Sequence, residues 1–337
     1  MNRTSIALTV AAMTVCNGAG ASEIVARIPG PDGGWDYASF DPVGHRILVS
    51  RGDGVMAVDP ATRKVSHIAP GHEVNSSIAL PDGHLLITNE ETNTVTIANA
   101  TGAIEKTIPV GKAPDAAVYD PASGMAMVAN HDSGNLSVID TKLGKEISRI
   151  AIGGKLEFAA VDGVGTLFVN IESPHAAIAV VDTKTMRVKG RYTLPGCEEP
   201  SALAYIAPNN LLISACSNGH AVVLDAADGH KISEFPIGPH PDAVVYDRTR
   251  SVAFIATAGW FDKNGEITVL SVTENAVSLS GSIPTERGAR TCAEDPETGL
   301  LYLPTADYVR GLTGRPKPVA GTFRVLVVDP QLHSESK

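Results

Sequence analysis

A repeat of about 42 residues runs along most of this chain, and a period in that range restricts a sequence to solenoids, propellers and similar arrays. One landmark is a short apolar run ending in a turn, often Asp-Pro. It occurs at Phe40-Asp41-Pro42, Leu80-Pro81-Asp82, Tyr119-Asp120-Pro121, Val161-Asp162-Gly163, Tyr205-Ile206, Tyr246-Asp247-Arg248 and Glu294-Asp295-Pro296. Taken at 41, 80, 120, 162, 206, 247 and 295, the spacings are 39, 40, 42, 44, 41 and 48 residues. A second landmark, an alternating run usually closed by Asp, keeps step with it. It covers Val55 to Asp59, Val95 to Asn99, Leu136 to Asp140, Ile178 to Asp182, Ala221 to Asp225, Ile267 to Ser271 and Val325 to Asp329.

Each repeat reads as four strands. In the third they are Ala116 to Tyr119, Met125 to Ala129, Leu136 to Ile139 and Glu146 to Ile150, with Gly, Asn and Asp at the joints. With 32 Gly and 22 Pro among 337 residues the chain is too heavily punctuated for a helical bundle. Four strands per forty-odd residues is the spacing of a propeller blade. Only eight residues, mostly polar, follow Asp329, so the last blade lacks an outer strand. Glu23 to Gly30 matches Glu146 to Gly153, the fourth strand of the third repeat, and supplies the missing strand. The expected fold is therefore all-β, a single seven-bladed propeller over residues 22–337, its ring closed by the N-terminal strand so that no sheet edge is left open.

The first 21 residues read as a signal peptide. Met1-Asn2-Arg3 is a short positive start, Thr4 to Val15 is almost wholly apolar or small, and Ala19-Gly20-Ala21 is a small-x-small cleavage site. The mature chain then begins near Ser22, in a periplasm or outside the cell. The apolar run is too short to span a bilayer, so a transmembrane protein is not expected. Val15 before Cys16 speaks against a lipid anchor, which prefers a small residue there. Of the remaining Cys197, Cys216 and Cys292, the first precedes the inner strand of blade five and the second ends its hairpin neighbour. That pairing brings both to one end and predicts a Cys197–Cys216 disulfide. Cys292 reads as a small buried residue, with no adjacent His to activate it.

The segments Pro114-Asp115-Ala116-Ala117-Val118-Tyr119-Asp120, Met127-Val128-Ala129-Asn130, Val138-Ile139-Asp140 and Ile150 to Gly153 resemble the repeat of YVTN-type propellers, a WD40-like architecture. The whole mature chain resembles the exported YncE-like proteins. Cys197-Glu198-Glu199-Pro200 with Cys216-Ser217-Asn218, and Arg287-Gly288-Ala289-Arg290-Thr291 with Leu303-Pro304-Thr305-Ala306, are similar to one branch of them. The resemblance implies the fold and export. It implies no particular reaction, because propellers host enzymes, binding proteins and scaffolds alike.

Candidate site residues come from aligning the seven inner strands. Five positions before each first landmark stand Asp36, Asn75, Asp115, Glu157, Ser201, Asp242 and Arg290. Together they form an expected ring at the channel mouth, with Arg290 as its counter-charge. Asp36, Asp115, Glu157 and Asp242 are the candidate ligands of a divalent cation, a hard ion such as Ca²⁺ above all. The plainer alternative is that Asp after Pro fixes the turn. Loop histidines His72, His131, His175, His220 and His240 fall on the same face, without an H-x-H or H-E-x-x-H pattern. Blades six and seven carry longer connections, in Ala258–Glu266 and Thr305–Thr322, with Trp260, Phe261, Tyr308 and Arg310. With Trp35, Asp36, Tyr37, Glu157, Arg287 and Arg290 these are the candidate ligand-binding residues, since aromatics with Arg anchor ligands and partners.

Two functions follow from this inventory. The first is an exported propeller, expected to be a monomer, that binds a small molecule or a protein on the channel-mouth face. The second is a metal-dependent, lactonase-like hydrolase or lyase. There the carboxylates hold the ion, Arg290 stabilises an oxyanion and His240, beside Asp242, moves protons. A net charge of −10 without a basic run excludes a nucleic-acid surface. No G-x-S-x-G elbow, P-loop, G-x-G-x-x-G or haem-binding C-x-x-C-H motif is present, so neither nucleotide nor haem is an expected cofactor.

Overall fold

The computed structural model describes residues 23–259, 263–274, 276–309 and 317–331. These form seven four-stranded antiparallel sheets arranged as the blades of a propeller. Blade three is typical. Its inner strand Pro114–Asp120 pairs with Met125–Asn130, then Asn135–Asp140, then the outer strand Lys145–Ala151. Blade seven has a short inner strand, Ala293–Asp295, which Cys292 immediately precedes. That blade continues through Leu300–Thr305 and Arg324–Asp329 and takes Glu23–Pro29 as its outer strand, with Glu23 opposite Asp329 and Pro29 opposite Arg324. The first and last described strands are thereby joined in one sheet. Arg27 adds an ion pair to Glu286, 2.7 Å away, and Glu286 also accepts from Arg324.

The core lies between blades. Alternate residues of the second and third strands point to opposite neighbours, so Val128 packs toward blade two while Met127, Leu136 and Val138 pack toward blade four. Side-chain hydrogen bonds clip adjacent blades: Ser39 donates to the Ser77 carbonyl, Asn170 to Ala202, Ser201 to Pro241 and Thr291 to Asp36. The Asp landmarks are turn caps. Asp41 accepts from the amides of Val43 and Gly44, and Asp140 from those of Lys142 and Leu143. They recur because every blade repeats the same turns.

One departure from regular pairing positions the site. In five blades the inner strand bulges, locally carrying one residue more than its partner. The extra residue falls between Trp35 and Ala38, Pro114 and Ala117, Leu156 and Ala159, Pro200 and Ala202, and Pro241 and Ala243. These bulges hold Asp36, Asp115, Glu157, Ser201 and Asp242. A bulge leaves a residue unpaired and re-aims its side chain, here toward the channel.

The Cys197–Cys216 disulfide is formed, with the two Cα atoms 5.4 Å apart. It is compatible with a secreted protein. No helix among the described residues is long and apolar enough to cross a membrane. The first 22 residues lie outside the described part, and so do Trp260, Phe261 and Arg310.

Candidate functional site

All seven aligned positions, from Asp36 round to Arg290, line one cavity of about 740 Å³ at the mouth of the channel. A second tier joins them: Glu90, His131, Glu172 and Ser217, each at or just after the end of a second strand. Glu199 and His240 stand at the rim. Both hold left-handed backbone, with φ of 46° and 54°, as do Glu73 and Ala113 at the equivalent place in their blades. Non-glycine residues are uncommon in that region and cost roughly 1 kcal/mol or more there. The four mark a shared turn that delivers the chain into each inner strand. The disulfide fixes the Glu199 turn, where the Ser217 amide donates to the Glu198 carbonyl at 2.9 Å.

The cup is acidic. Asp36, Glu90, Asp115, Asp132, Glu157, Glu172, Glu199 and Asp242 line it, against Lys155, Arg290 and two imidazoles. The positive charges are partly committed. Arg290 Nε lies 3.0 Å from Asp242 Oδ2, and Lys155 Nζ lies 3.4 Å from Asp132. Burial pushes the Asp36 carboxyl well above the ordinary range, with Arg290 pulling it partly back. Burial likewise raises Glu157, whose neighbour Asp115 adds to the effect, and it raises Asp115 and Glu172. Asp115 and Glu157 stand side by side, with the charge of Asp115 raising the Glu157 carboxyl further. The charge of Asp242 holds Arg290 firmly protonated.

Tyr37 forms part of the floor. Its hydroxyl donates to Glu157 Oε2 at 3.1 Å, and its ring meets Phe158 edge-on at 5.2 Å. Beneath lies a second cavity of about 400 Å³, lined by Tyr37, Phe40, Phe158, Val245, Tyr246 and Glu294 among others. The Tyr37–Phe158 pair thus stands where a polar chamber meets a largely apolar one.

His131 faces the acids. Its Nδ1 lies 2.9 Å from the Leu156 carbonyl, which can only accept, so Nδ1 bears the proton. Ligand atoms of Asp115, His131 and Glu157 lie within 4.8 Å of one another. The expected cation set is therefore divided: Asp115 and Glu157 meet with His131, while Asp242 is engaged by Arg290. Glu90 and Glu172 escaped the inner-strand alignment because they belong to the second-strand ends. Aligning that second register would have found them.

The other candidates sit elsewhere. Trp35 packs between Tyr308, at 6.4 Å, and Phe323, at 5.0 Å, and Arg51 lies over Phe323. This cluster seals the seam between blades seven and one. Tyr308 belongs to a two-residue ladder, Tyr308–Val309 with Lys317–Pro318, and Arg287 presents its carbonyl to Thr305. None of Trp35, Tyr308 and Arg287 lines the cup. His72 pairs with Glu91 and His220 with Glu234, both on the surface. His175 is exposed.

No protein-family model and no curated protein sequence matches the chain. Solved structures do. A chain of the Kuenenia stuttgartiensis hydrazine synthase is similar with a TM-score of 0.68 and 19% identity, over 82% of this chain and 92% of that one. A chain of a mitotic checkpoint complex is similar with a TM-score of 0.73 and 14% identity, over 97% of this chain and 98% of that one. At such identities the likeness establishes the seven-bladed propeller and nothing about activity.

Proposed function

We propose that the protein is an exported, monomeric binding propeller whose acidic cup takes a small, positively charged ligand. The observation that carries this reading is the concentration of eight carboxylates in one cavity of about 740 Å³. Burial already disfavours the charged form of several of them, so an incoming cation gains attraction in a poorly solvated space. Export is supported by the N-terminal pattern, by the disulfide and by the resemblance of the repeats to YncE-like propellers. A metal-dependent hydrolase built on Asp36, Glu157 and Asp242 is the weaker reading, because Asp242 already pairs with Arg290 at 3.0 Å.

The test is a thermal-shift and calorimetric screen of small organic cations, diamines and quaternary ammonium compounds first, with matched anions as controls. Cations should raise the melting temperature, and the effect should weaken with salt and in Glu172→Gln and Asp36→Asn. Equal response to anions, or no response to any cation, would remove the reading.

A further inference from the structure

We propose that Asp115, His131 and Glu157 form a divalent transition-metal site in the wall of the cup. The proposal rests on reading the cup as a cation site, and names the place where three donors among the described residues converge.

Three donors come from two neighbouring blades. Asp115 and Glu157 sit in the inner-strand bulges of blades three and four, and His131 follows the second strand of blade three. Their ligand atoms lie within 4.8 Å of one another. Bonds of about 2.0–2.2 Å in tetrahedral geometry place ligands about 3.4 Å apart, so side-chain adjustment suffices to close on an ion. Two donors are oriented from outside the group. The Leu156 carbonyl holds His131 Nδ1–H at 2.9 Å, which leaves Nε2 with the lone pair a metal needs. The Tyr37 hydroxyl holds Glu157 Oε2 at 3.1 Å, which leaves Oε1. A carbonyl behind a ligating imidazole and a hydroxyl behind a ligating carboxylate are the outer contacts that metal sites use.

Charge and chemistry select the ion. Two carboxylates balance a divalent cation, and the cavity leaves room for water or ligand in a further position. One imidazole with two carboxylates suits Zn²⁺, Mn²⁺, Fe²⁺ or Co²⁺ better than Ca²⁺, which takes six to eight oxygens. The opposite side of the cup is unsuited, since Arg290 is held against Asp242.

The experiment uses the purified protein, stripped with chelator and dialysed, then titrated with Co²⁺ followed by absorbance and with Zn²⁺, Mn²⁺ and Ca²⁺ by calorimetry. One equivalent of Co²⁺ should bind with a ligand-field spectrum displaced by Zn²⁺, with Ca²⁺ at least tenfold weaker. His131→Gln and Glu157→Gln should each weaken binding by a hundredfold or more. Tyr37→Phe, which leaves every ligand in place, should weaken it about tenfold, the scale of outer-contact losses. Circular dichroism confirms that each variant is folded. The idea is overturned if no transition metal binds below about 100 μM, or if folded His131→Gln binds as tightly as the parent. Organic cations that still bind in the first case would leave the cup reading standing; loss of both would remove both.

Discussion

Replacing Arg290 by Met should destabilise the protein by an amount that depends on pH. Arg290 Nε sits 3.0 Å from Asp242, and the guanidinium also offsets the charge of Asp36. Removing one partner of a buried pair costs about 3–5 kcal/mol. The Arg290 side chain keeps 31% of its surface exposed against 10% for Asp242, which places the loss nearer 2–3 kcal/mol at neutral pH. For a domain this large that is a drop of about 5 °C in melting temperature, taking about 2 °C per kcal/mol. The sign of the pH effect follows from linkage. Burial has already raised the Asp36 carboxyl, and losing Arg290 raises it further. The native state then holds a proton that the unfolded chain releases near pH 4, so native stability falls as pH climbs from there through the folded-state value. The deficit of Arg290→Met relative to the parent should therefore be smaller near pH 4.5 than at pH 8. Scanning calorimetry at both ends reads this directly. Combining Arg290→Met with Asp242→Asn should recover at least about 1 kcal/mol relative to the sum of the single losses. A deficit equal at both pH values, or strictly additive variants, would mean that Arg290 acts by packing and that the charge argument is wrong.

Three further outcomes follow from the same structure. Changing Cys197 and Cys216 together to Ala opens a loop closed across 19 positions; chain entropy sets the loss at about 3 kcal/mol, and a melting temperature unmoved by reductant in the parent would contradict it. Deleting residues 23–30 should leave the Arg324–Asp329 strand as an open edge, giving a protein that aggregates or melts far below the parent; a soluble monomer of unchanged stability would refute closure by this strand. Glu294, raised to about 7 chiefly by burial and by its neighbour Asp247, costs native stability as pH climbs from about 4 to 7; Glu294→Gln should therefore gain on the parent across that window and run parallel above it, and a pH-independent difference in melting temperature would count against it.

The N-terminal closure was legible because the last repeat lacks an outer strand that Glu23 to Gly30 matches, and blade number and strand order because each rests on a pattern repeated seven times, and repetition averages out local ambiguity. The channel-mouth ring was legible for the same reason: counting back five residues from Asp41, Asp120 or Asp247 lands on Asp36, Asp115 or Asp242. What repetition could not supply was the pairing register. The bulge that re-aims Asp115 depends on Pro114 lying opposite Asn130 while Ala117 lies opposite Val128, a fact of two strands together. The fate of Trp35 and Tyr308 was equally hidden. Both resemble ligand anchors in sequence, yet Phe323, a distant residue brought in by the last blade, turns Trp35 into part of a seam.

Acidic residues recur at two places in several of the blades, and their surroundings drive them in opposite directions. Asp59 and Asp182 close third strands, where the backbone amides of Thr62 and Thr185 donate to them and hold their carboxyls below the ordinary range. Such residues favour the folded state once ionised and lose that contribution only as pH falls through their lowered values. Asp36, Asp115 and Glu157 sit in bulges, where burial raises them. Their charged forms oppose folding. A turn cap is satisfied by its own chain, whereas a buried carboxyl facing other carboxyls gains most from a charge the chain does not fully supply. Arg290 supplies one such charge on the Asp242 side, and the Asp115–Glu157 side is faced by the His131 imidazole. The asymmetry of the ring, one arginine among repeated acids, therefore sets where a cation entering the cup gains most: against blades three and four, opposite the side that Arg290 already neutralises.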